Sequence, residues 1–235
     1  MKYPFQSLAW LMLCVASSSF AASPSSVLAT YDVYKGSIKG ATITETYTRK
    51  QNRYAIESVS QAVGLLALIK PETIRYTSEG EITDHGLRPL TFIGLRKLDT
   101  DRNVRADFDW KAKRLALTEH GQQRILPLPD GTQDRLSAMY QFMFLSLAKT
   151  DVLSFHMTNG GKLDVYNYRI TPDQNVTVPL GTFKGLYVAS VPEADASRTE
   201  IWLAGEHANF PYKMIITDKD GEKFSQVLTK FVFVP

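Results

Sequence analysis

Cysteine is almost absent from this chain of 235 residues, in which Cys14 is the only one. A lipoprotein signal would need a small residue just before that cysteine, and Leu13 stands there instead. Cys14 lies in an N-terminal segment that we expect to be removed, which would leave a mature chain with neither disulfides nor thiol chemistry. Secreted eukaryotic domains often carry disulfides, so this scarcity favours a bacterial exported protein.

An excess of charge of one sign is also lacking. The chain has 27 Lys and Arg against 24 Asp and Glu, a formal net charge of +3 at pH 7. The basic residues are scattered, whereas a nucleic-acid-binding surface needs them clustered. We therefore expect no nucleic-acid partner. Beyond the N-terminal segment there is no apolar run of about 20 residues, so no transmembrane helix is expected in the mature chain.

The N-terminal segment has the features of a signal peptide. Lys2 supplies a positive start, residues 8–16 are apolar, and Ser19-Phe20-Ala21 fits a small-x-small cleavage site. We predict a signal peptide over residues 1–21, followed by a single β-rich domain over residues 22–235. The predicted location is the periplasm of a Gram-negative bacterium.

Most of the remaining chain has the period-two alternation of β-strands. Residues 104–110 alternate cleanly, with Val104, Ala106, Phe108 and Trp110 on one face and charged residues on the other. Looser alternation, rich in Thr, Tyr, Ile and Val, predicts strands at residues 42–48, 53–60, 163–178, 182–191, 199–203, 212–217 and 222–234. Glu79-Gly80 is predicted as a turn. These patterns predict a mostly β protein.

One segment, residues 135–149, has helical periodicity instead. Apolar residues recur with the spacing of one helix face, and their neighbours widen that face; they are Leu136, Met139, Tyr140, Met143 and Leu147. Residues suited to capping this helix and its preceding loop are Asp130, Thr132, Asp134 and Ser137. A helix this apolar is expected to be buried. We predict a curled antiparallel sheet or half-closed barrel wrapped round one buried helix.

Short motifs in a fixed order give the chain a resemblance to a known family. They occur at residues 31–34, 78–82, 86–89, 108–110, 133–137, 179–183, 202–203 and 210–213. In this order they resemble the exported bacterial family known as domain of unknown function 3108, over most of the mature chain. The resemblance implies an exported β-rich domain. It supplies no catalytic residues, because the family has no assigned reaction.

No pattern of residues predicts a metal, a cofactor or a catalytic centre. His85, His120, His156 and His207 have no paired metal-ligand spacing. Ser137 lacks the glycines of a nucleophile elbow, so we interpret it as a cap. A hydrolase with a Ser-His-Asp set assembled only in space is kept as a weaker alternative.

The sharpest functional candidate is the apolar run at residues 63–69, which Lys70 and Pro71 follow. The run is typical of a buried strand or a helical turn, or of an apolar lip that touches lipid or admits an acyl chain. Ligand contacts are predicted for Val63, Leu65, Leu66, Leu68, Ile69, Met139, Tyr140 and Met143. We predict a non-enzymatic envelope protein that binds a lipid or glycolipid in a curled sheet. The alternative is an envelope scaffold or interaction protein with a filled core.

Overall fold

A computed structural model describes residues 24–147, 149–191 and 197–235 of the chain. The predicted signal peptide therefore lies outside the described residues. The strands are β1 (Ser26–Lys35), β2 (Ile38–Lys50), β3 (Arg53–Ala62), β4 (Thr73–Thr83), β5 (Gly86–Arg96), β6 (Val104–Asp109), β7 (Arg114–Glu119), β8 (Gln122–Pro127), β9 (Gln133–Asp134), β10 (Val152–Thr158), β11 (Leu163–Val178), β12 (Gly181–Ser190), β13 (Arg198–Ala204), β14 (Phe210–Thr217) and β15 (Lys223–Val234).

Two α-helices and three 3-10 turns interrupt these strands in the described ranges. They are α1 (Gly64–Ile69), the turn Thr100–Arg102, α2 (Arg135–Gln141), the turn Phe142–Phe144 and the turn Gly205–His207. No helix in the described part of the chain is long and apolar enough to cross a membrane.

The strands form one sheet with the first and last strands side by side in its middle. The spatial order is β8-β7-β6-β5-β4-β3-β2-β1-β15-β14-β13-β12-β11-β10-β9. Each strand is thus antiparallel to its neighbours, except for the short parallel pair of β9 and β10. The mostly β prediction is confirmed, as one open, curled sheet. Curling brings the two halves of the sheet together, so that the turn between β10 and β11 packs on β6 and β8. A carbon added at Gly160 in this turn would lie 2.7 Å from Val104 on β6. The Arg124 guanidinium on β8 donates to the Gly161 carbonyl.

Period-two alternation explains which face of the sheet is buried. On β1, Val27, Ala29 and Tyr31 are buried in succession while Leu28 points outward and is half-exposed. The large buried side chains of both halves form one cluster, to which α2 contributes Leu136. Large rings dominate such cores. A second, smaller cluster lies between β11, β12 and β13.

Helix α2 is shorter than the predicted helix over residues 135–149, because the chain leaves helical geometry at Phe142–Phe144 and is extended at Leu145. Tyr140 and Met143 belong to the large cluster, whereas Phe142 and Leu147 belong to the smaller one. A continuous helix would keep Leu147 on the same face as Tyr140 and Met143, so the break in the helix lets Leu147 reach the smaller cluster. Five of the seven residues of α2 are buried.

Two glutamines fix this segment to strand β5. The Gln141 carbonyl oxygen accepts from the Leu87 amide at 2.7 Å, and its amide nitrogen donates to the His85 carbonyl at 2.8 Å. The Gln133 amide donates to the Leu87 carbonyl at 2.9 Å. These bonds satisfy backbone groups at the start of β5 that have no strand partner on that side.

Candidate functional site

The apolar run at residues 63–69 forms the short helix α1, which connects β3 to β4. Val63 is its half-buried N-cap residue, and the Lys70 amide closes the helix by donating to the Leu66 carbonyl at 2.8 Å. Pro71 follows immediately, where a helix cannot continue. A helix of six residues is not stable alone, so the neighbouring strands must hold it in place.

Strand β2 provides that support. The Val63 amide donates to the Gly40 carbonyl at 3.0 Å. A carbon added at Gly40 would lie 3.5 Å from the Leu66 side chain, so Leu66 packs over the bare glycine. This arrangement places α1 against the start of β2, two residues after Ile38, the first residue of that strand.

The outer side of α1 is apolar and open to solvent. No residue of the helix is buried. Leu65, Leu68 and Ile69 are 72%, 82% and 75% exposed, and Ile38 is 73% exposed. In the described part of the chain these are the four most exposed large apolar side chains. Together with the half-exposed Leu66 they form what we call the α1 patch: Ile38, Leu65, Leu66, Leu68 and Ile69.

The other three predicted ligand contacts lie elsewhere, on α2 and the turn that follows it. Met139 and Tyr140 line a small internal cavity, and Met143 is buried in the large cluster. The eight predicted contacts therefore do not meet at one site. Ligand binding by any of them stays a prediction, and the structure separates an outer group on α1 from an inner group on α2.

The internal cavity beside α2 is too small for a lipid chain. About 20 Å³ of it is open to a water-sized molecule, and Tyr31, Glu45 and Phe210 complete its wall. That space holds about one water, whereas ligand pockets measure roughly 300–1,000 Å³. The Tyr140 ring stacks on Tyr47 at 5.4 Å between centroids, so aromatic side chains fill the surrounding interior.

A buried carboxyl faces this cavity. Glu45 accepts from the Ser58 hydroxyl at 3.1 Å and from the Tyr140 hydroxyl at 3.3 Å. Burial raises the pKa of Glu45, although both hydrogen bonds and the charge of Arg135 oppose that rise. The hydrogen bonds that hold the carboxyl between two strands and α2 give it a structural role.

The predicted capping residues divide into two pairs. The Asp134 carboxylate accepts from the Leu136 and Ser137 amides at 2.8 and 2.9 Å, and the Ser137 hydroxyl accepts from the Asp134 amide at 2.9 Å. These bonds form a capping box at the start of α2. Asp130 instead pairs with Lys113, and the Thr132 hydroxyl donates to the Pro129 carbonyl at 2.7 Å. Neither Asp130 nor Thr132 caps the helix.

Three of the polar groups considered for catalysis, Ser137, His120 and His207, have structural partners. Ser137 is fully buried, and its hydroxyl is engaged in the capping box. His120 pairs with Asp101 at 2.9 Å on the surface, and His207 contacts the Tyr212 hydroxyl at 2.6 Å. Among residues 24–147, 149–191 and 197–235, no cluster of three His, Cys, Asp or Glu side chains could hold a metal.

These features define a class of protein: an open, curled, β-barrel-like sheet with one exposed apolar helix. A solved structure with this fold is the crystal structure of a beta-barrel-like protein of domain of unknown function DUF1849 from Brucella abortus. It is 12% identical, with a TM-score of 0.57 over 88% of this chain and 97% of that chain, a similarity that bears on fold alone.

The chain belongs to the family described as protein of unknown function (DUF3108), whose family model matches residues 30–229. The predicted resemblance is confirmed. A comparison with curated proteins gives no match.

Sequence reasoning missed the neighbours that surround α1. Ile38 is separated from the run by a whole hairpin, and Leu98, which is half-exposed, lies beyond β5. The Leu98 amide donates to a Glu72 carboxylate oxygen at 3.1 Å, which brings it beside the segment that follows α1. Only strand pairing, which no local pattern shows, joins these residues into one surface.

Proposed function

We propose that this protein is a non-enzymatic component of the bacterial envelope, exported to the periplasm, that binds lipid surfaces through the α1 patch. The observation that carries this proposal is the exposure of four large aliphatic side chains on and beside a helix with no buried residue. Contiguous apolar surface on a folded protein marks an interaction site. The proposal moves the predicted lipid contact from the inside of the sheet to its rim.

The size of the patch suits reversible attachment. Full burial of a Leu or Ile side chain gains roughly 1.5–3 kcal/mol. Four side chains that are about three quarters exposed would gain about 4–9 kcal/mol in total, before the cost of association. Because association costs part of this gain, we expect dissociation constants no tighter than about micromolar. Such a protein would visit a membrane and leave it again.

A lipid surface fits this patch better than a large protein partner does. Stable protein interfaces use about 20–30 residues on each side, whereas the α1 patch has five. A bilayer needs no shape complementarity, and a few aliphatic side chains at the end of a rigid body can enter its acyl region. The closed side of α1, held by Gly40 and the Lys70 cap, keeps the apolar side facing outward.

In this proposal the curled sheet wraps round α2, which acts as an internal brace and not as a ligand. The small cavity and the stacked aromatic rings support that role. The capping box and the two glutamines engage the polar groups of this region in structure. These bonds favour a binding protein over the hydrolase alternative.

Vesicle co-sedimentation tests the proposal directly. The full protein is mixed with sonicated phospholipid vesicles, and its bound fraction is measured against lipid concentration. We expect the wild-type protein to bind these vesicles. A triple variant with Leu65→Ser, Leu68→Ser and Ile69→Ser should bind at least about tenfold more weakly, since each substitution removes part of the transfer free energy.

A matched control keeps the same chemistry at another exposed site. Ile125 on β8 is 59% exposed and Val152 on β10 is also 59% exposed. Ile125→Ser with Val152→Ser should leave vesicle binding unchanged. Failure of the wild-type protein to bind any vesicle would refute the proposal, as would equal losses in the two variants.

A second candidate function, protein recognition, rests on the free edge of the sheet. Strand β8 pairs only with β7 in the sheet order, and five of its six residues are exposed. An extended strand of a second copy could add to this edge. This function predicts concentration-dependent association in sedimentation velocity. Ile125→Pro should abolish that association, and the triple serine variant should retain it.

A further inference from the structure

Two lysines flank the end of the α1 patch and have no acidic partner among the described residues. Lys70 is the C-cap residue of α1, and its side chain is exposed. Lys97 is exposed as well, and its amide donates to the Thr73 carbonyl at 3.1 Å, three residues beyond Lys70. The backbone of the β5–β6 connection therefore lies directly beside the segment that leaves α1.

Two other lysines near this end of the sheet are paired with acids. Lys39 pairs with Asp32 at 2.7 Å, and Lys35 pairs with Glu222 at 2.8 Å. Lys70 and Lys97 differ from these two lysines, because neither has an acidic partner among the described residues.

The acids close to these two lysines are engaged elsewhere. One Glu72 carboxylate oxygen accepts from the Leu98 amide, and the other is buried without a hydrogen-bond partner among the described residues. Asp99 lies 3.7 Å from Arg102 in an ion pair, and Asp101 pairs with His120. Four cations and three acids lie next to the patch (Lys70, Arg96, Lys97 and Arg102 against Glu72, Asp99 and Asp101), a net charge of +1 with His120 neutral, and Leu98 extends the apolar surface beside them.

We propose that Lys70 and Lys97 bind the phosphates of anionic phospholipids while the α1 patch enters the acyl region. This inference rests on the proposed lipid-surface function and adds selectivity to it. Aliphatic side chains alone do not distinguish a neutral bilayer from an anionic one. A lysine on the protein surface adds affinity only for a negatively charged membrane, by about fivefold per lysine at moderate salt.

The experiment compares vesicles of pure phosphatidylcholine with vesicles that contain about one third phosphatidylglycerol. We expect the wild-type protein to bind the anionic vesicles about 25-fold more tightly. Lys70→Gln with Lys97→Gln should remove most of that advantage and leave binding to phosphatidylcholine unchanged. Added salt should reduce the advantage in the wild type far more than in the double variant.

The control variant makes the same change in net charge at the opposite end of the sheet. Lys50 ends the strand that Ile38 begins, about 40 Å away at roughly 3.3 Å per residue. Lys111 lies in the turn after β6, at that same far end. Lys50→Gln with Lys111→Gln should keep the full preference for anionic vesicles.

The outcomes separate this inference from the function on which it rests. Equal anionic preference in the wild type and the Lys70/Lys97 variant refutes the inference. Equal loss in the control variant also refutes it, because net charge alone would then explain binding. If in either case the triple serine variant still loses affinity for phosphatidylcholine, the proposed function stands. Binding to neither vesicle refutes both.

Discussion

Asp134 offers the sharpest test of how α2 is fixed inside the protein. Its carboxylate is fully buried and accepts three hydrogen bonds: from the Leu136 amide at 2.8 Å, the Ser137 amide at 2.9 Å and the Ser78 hydroxyl at 2.5 Å. Asp134→Ala would leave all three donors without their acceptor. Loss of an N-cap costs about 0.5–2 kcal/mol, and a buried unpaired donor costs roughly 1–3 kcal/mol. We expect a loss of about 3 kcal/mol in the free energy of unfolding.

Asp134→Asn is the matched comparison, because it keeps one acceptor oxygen for the two amides. Its amide nitrogen can donate to the Ser78 hydroxyl oxygen. Burial raises the pKa of Asp134, although the hydrogen bonds from Ser78, Ser137 and Leu136 oppose that rise. The neutral amide therefore removes a charge that burial disfavours. We expect Asp134→Asn to lie within about 1 kcal/mol of the wild type.

Urea unfolding followed by circular dichroism measures both variants. With a slope near the upper end of about 1–3 kcal/mol/M, Asp134→Ala should lower the midpoint by about 1 M. A midpoint for Asp134→Ala equal to that of the wild type would refute the reasoning, since water would then replace the cap without cost. Equal losses in the two variants would show that the charge, and not the acceptor geometry, stabilises the helix.

Three further substitutions test other parts of the interior. Gly80→Ala would place a carbon 2.2 Å from the Arg88 carbonyl oxygen, so we expect a loss of roughly 2 kcal/mol or more in urea unfolding. Gly205→Ala, whose added carbon would lie 3.7 Å from the Lys184 carbonyl oxygen, should cost less, and equal losses would contradict the predicted clash. Glu45→Gln removes a carboxyl whose pKa burial raises above 4.5. The folded wild type binds that proton more tightly than the unfolded chain, so its stability falls as pH rises through the window above 4.5. The variant's melting temperature should fall less over that window, and parallel curves would contradict this. Tyr47→Phe deletes a buried hydroxyl that has no hydrogen-bond partner among the described residues. Its stability in urea should equal or exceed that of the wild type, and a loss above about 1 kcal/mol would indicate a bound water.

Period-two patterns predict some of the strands that have one buried and one exposed face, although β1 and β7, which also alternate, are not among them. Residues 163–178 coincide with β11, and the predicted strand at residues 53–60 lies within β3. Strand β8 is not predicted, because side chains on both of its faces are exposed and no alternation arises. An edge strand of this kind forms because its neighbour β7 offers a free edge, which is information that the segment itself does not contain.

The Glu79-Gly80 prediction was wrong for an instructive reason. This dipeptide lies inside β4 and not at a turn. Gly80 sits at a register shift between β4 and β5, where an added carbon would also lie 2.8 Å from the Tyr54 ring. A glycine required by close packing and a glycine required by a turn look the same in sequence. Only the partner strand distinguishes them.

The candidate site was only partly predictable. The apolar run over residues 63–69 stands out, but an apolar run is as typical of a buried strand as of an exposed helix. Its exposure follows from tertiary structure: Leu66 packs against Gly40 on one side of α1, and on the other side Leu65, Leu68 and Ile69 are exposed in the described part of the chain. Ile38, Lys70 and Lys97 join the surface through strand pairing and backbone hydrogen bonds, which local periodicity does not encode.

Most residues of this protein suit their environment, and the exception is found on the rim of the sheet, where we place the function. Inside the sheet, apolar side chains pack together, and the buried Asp134 and Glu45 accept hydrogen bonds from named partners. The α1 patch is the exception, since its aliphatic residues are exposed to water although a polar helix could connect β3 and β4 equally well. Local departures of this kind are expected at functional sites. The cavity beside α2 holds about one water, which favours the exposed α1 patch over that cavity as the place where this protein would meet a lipid.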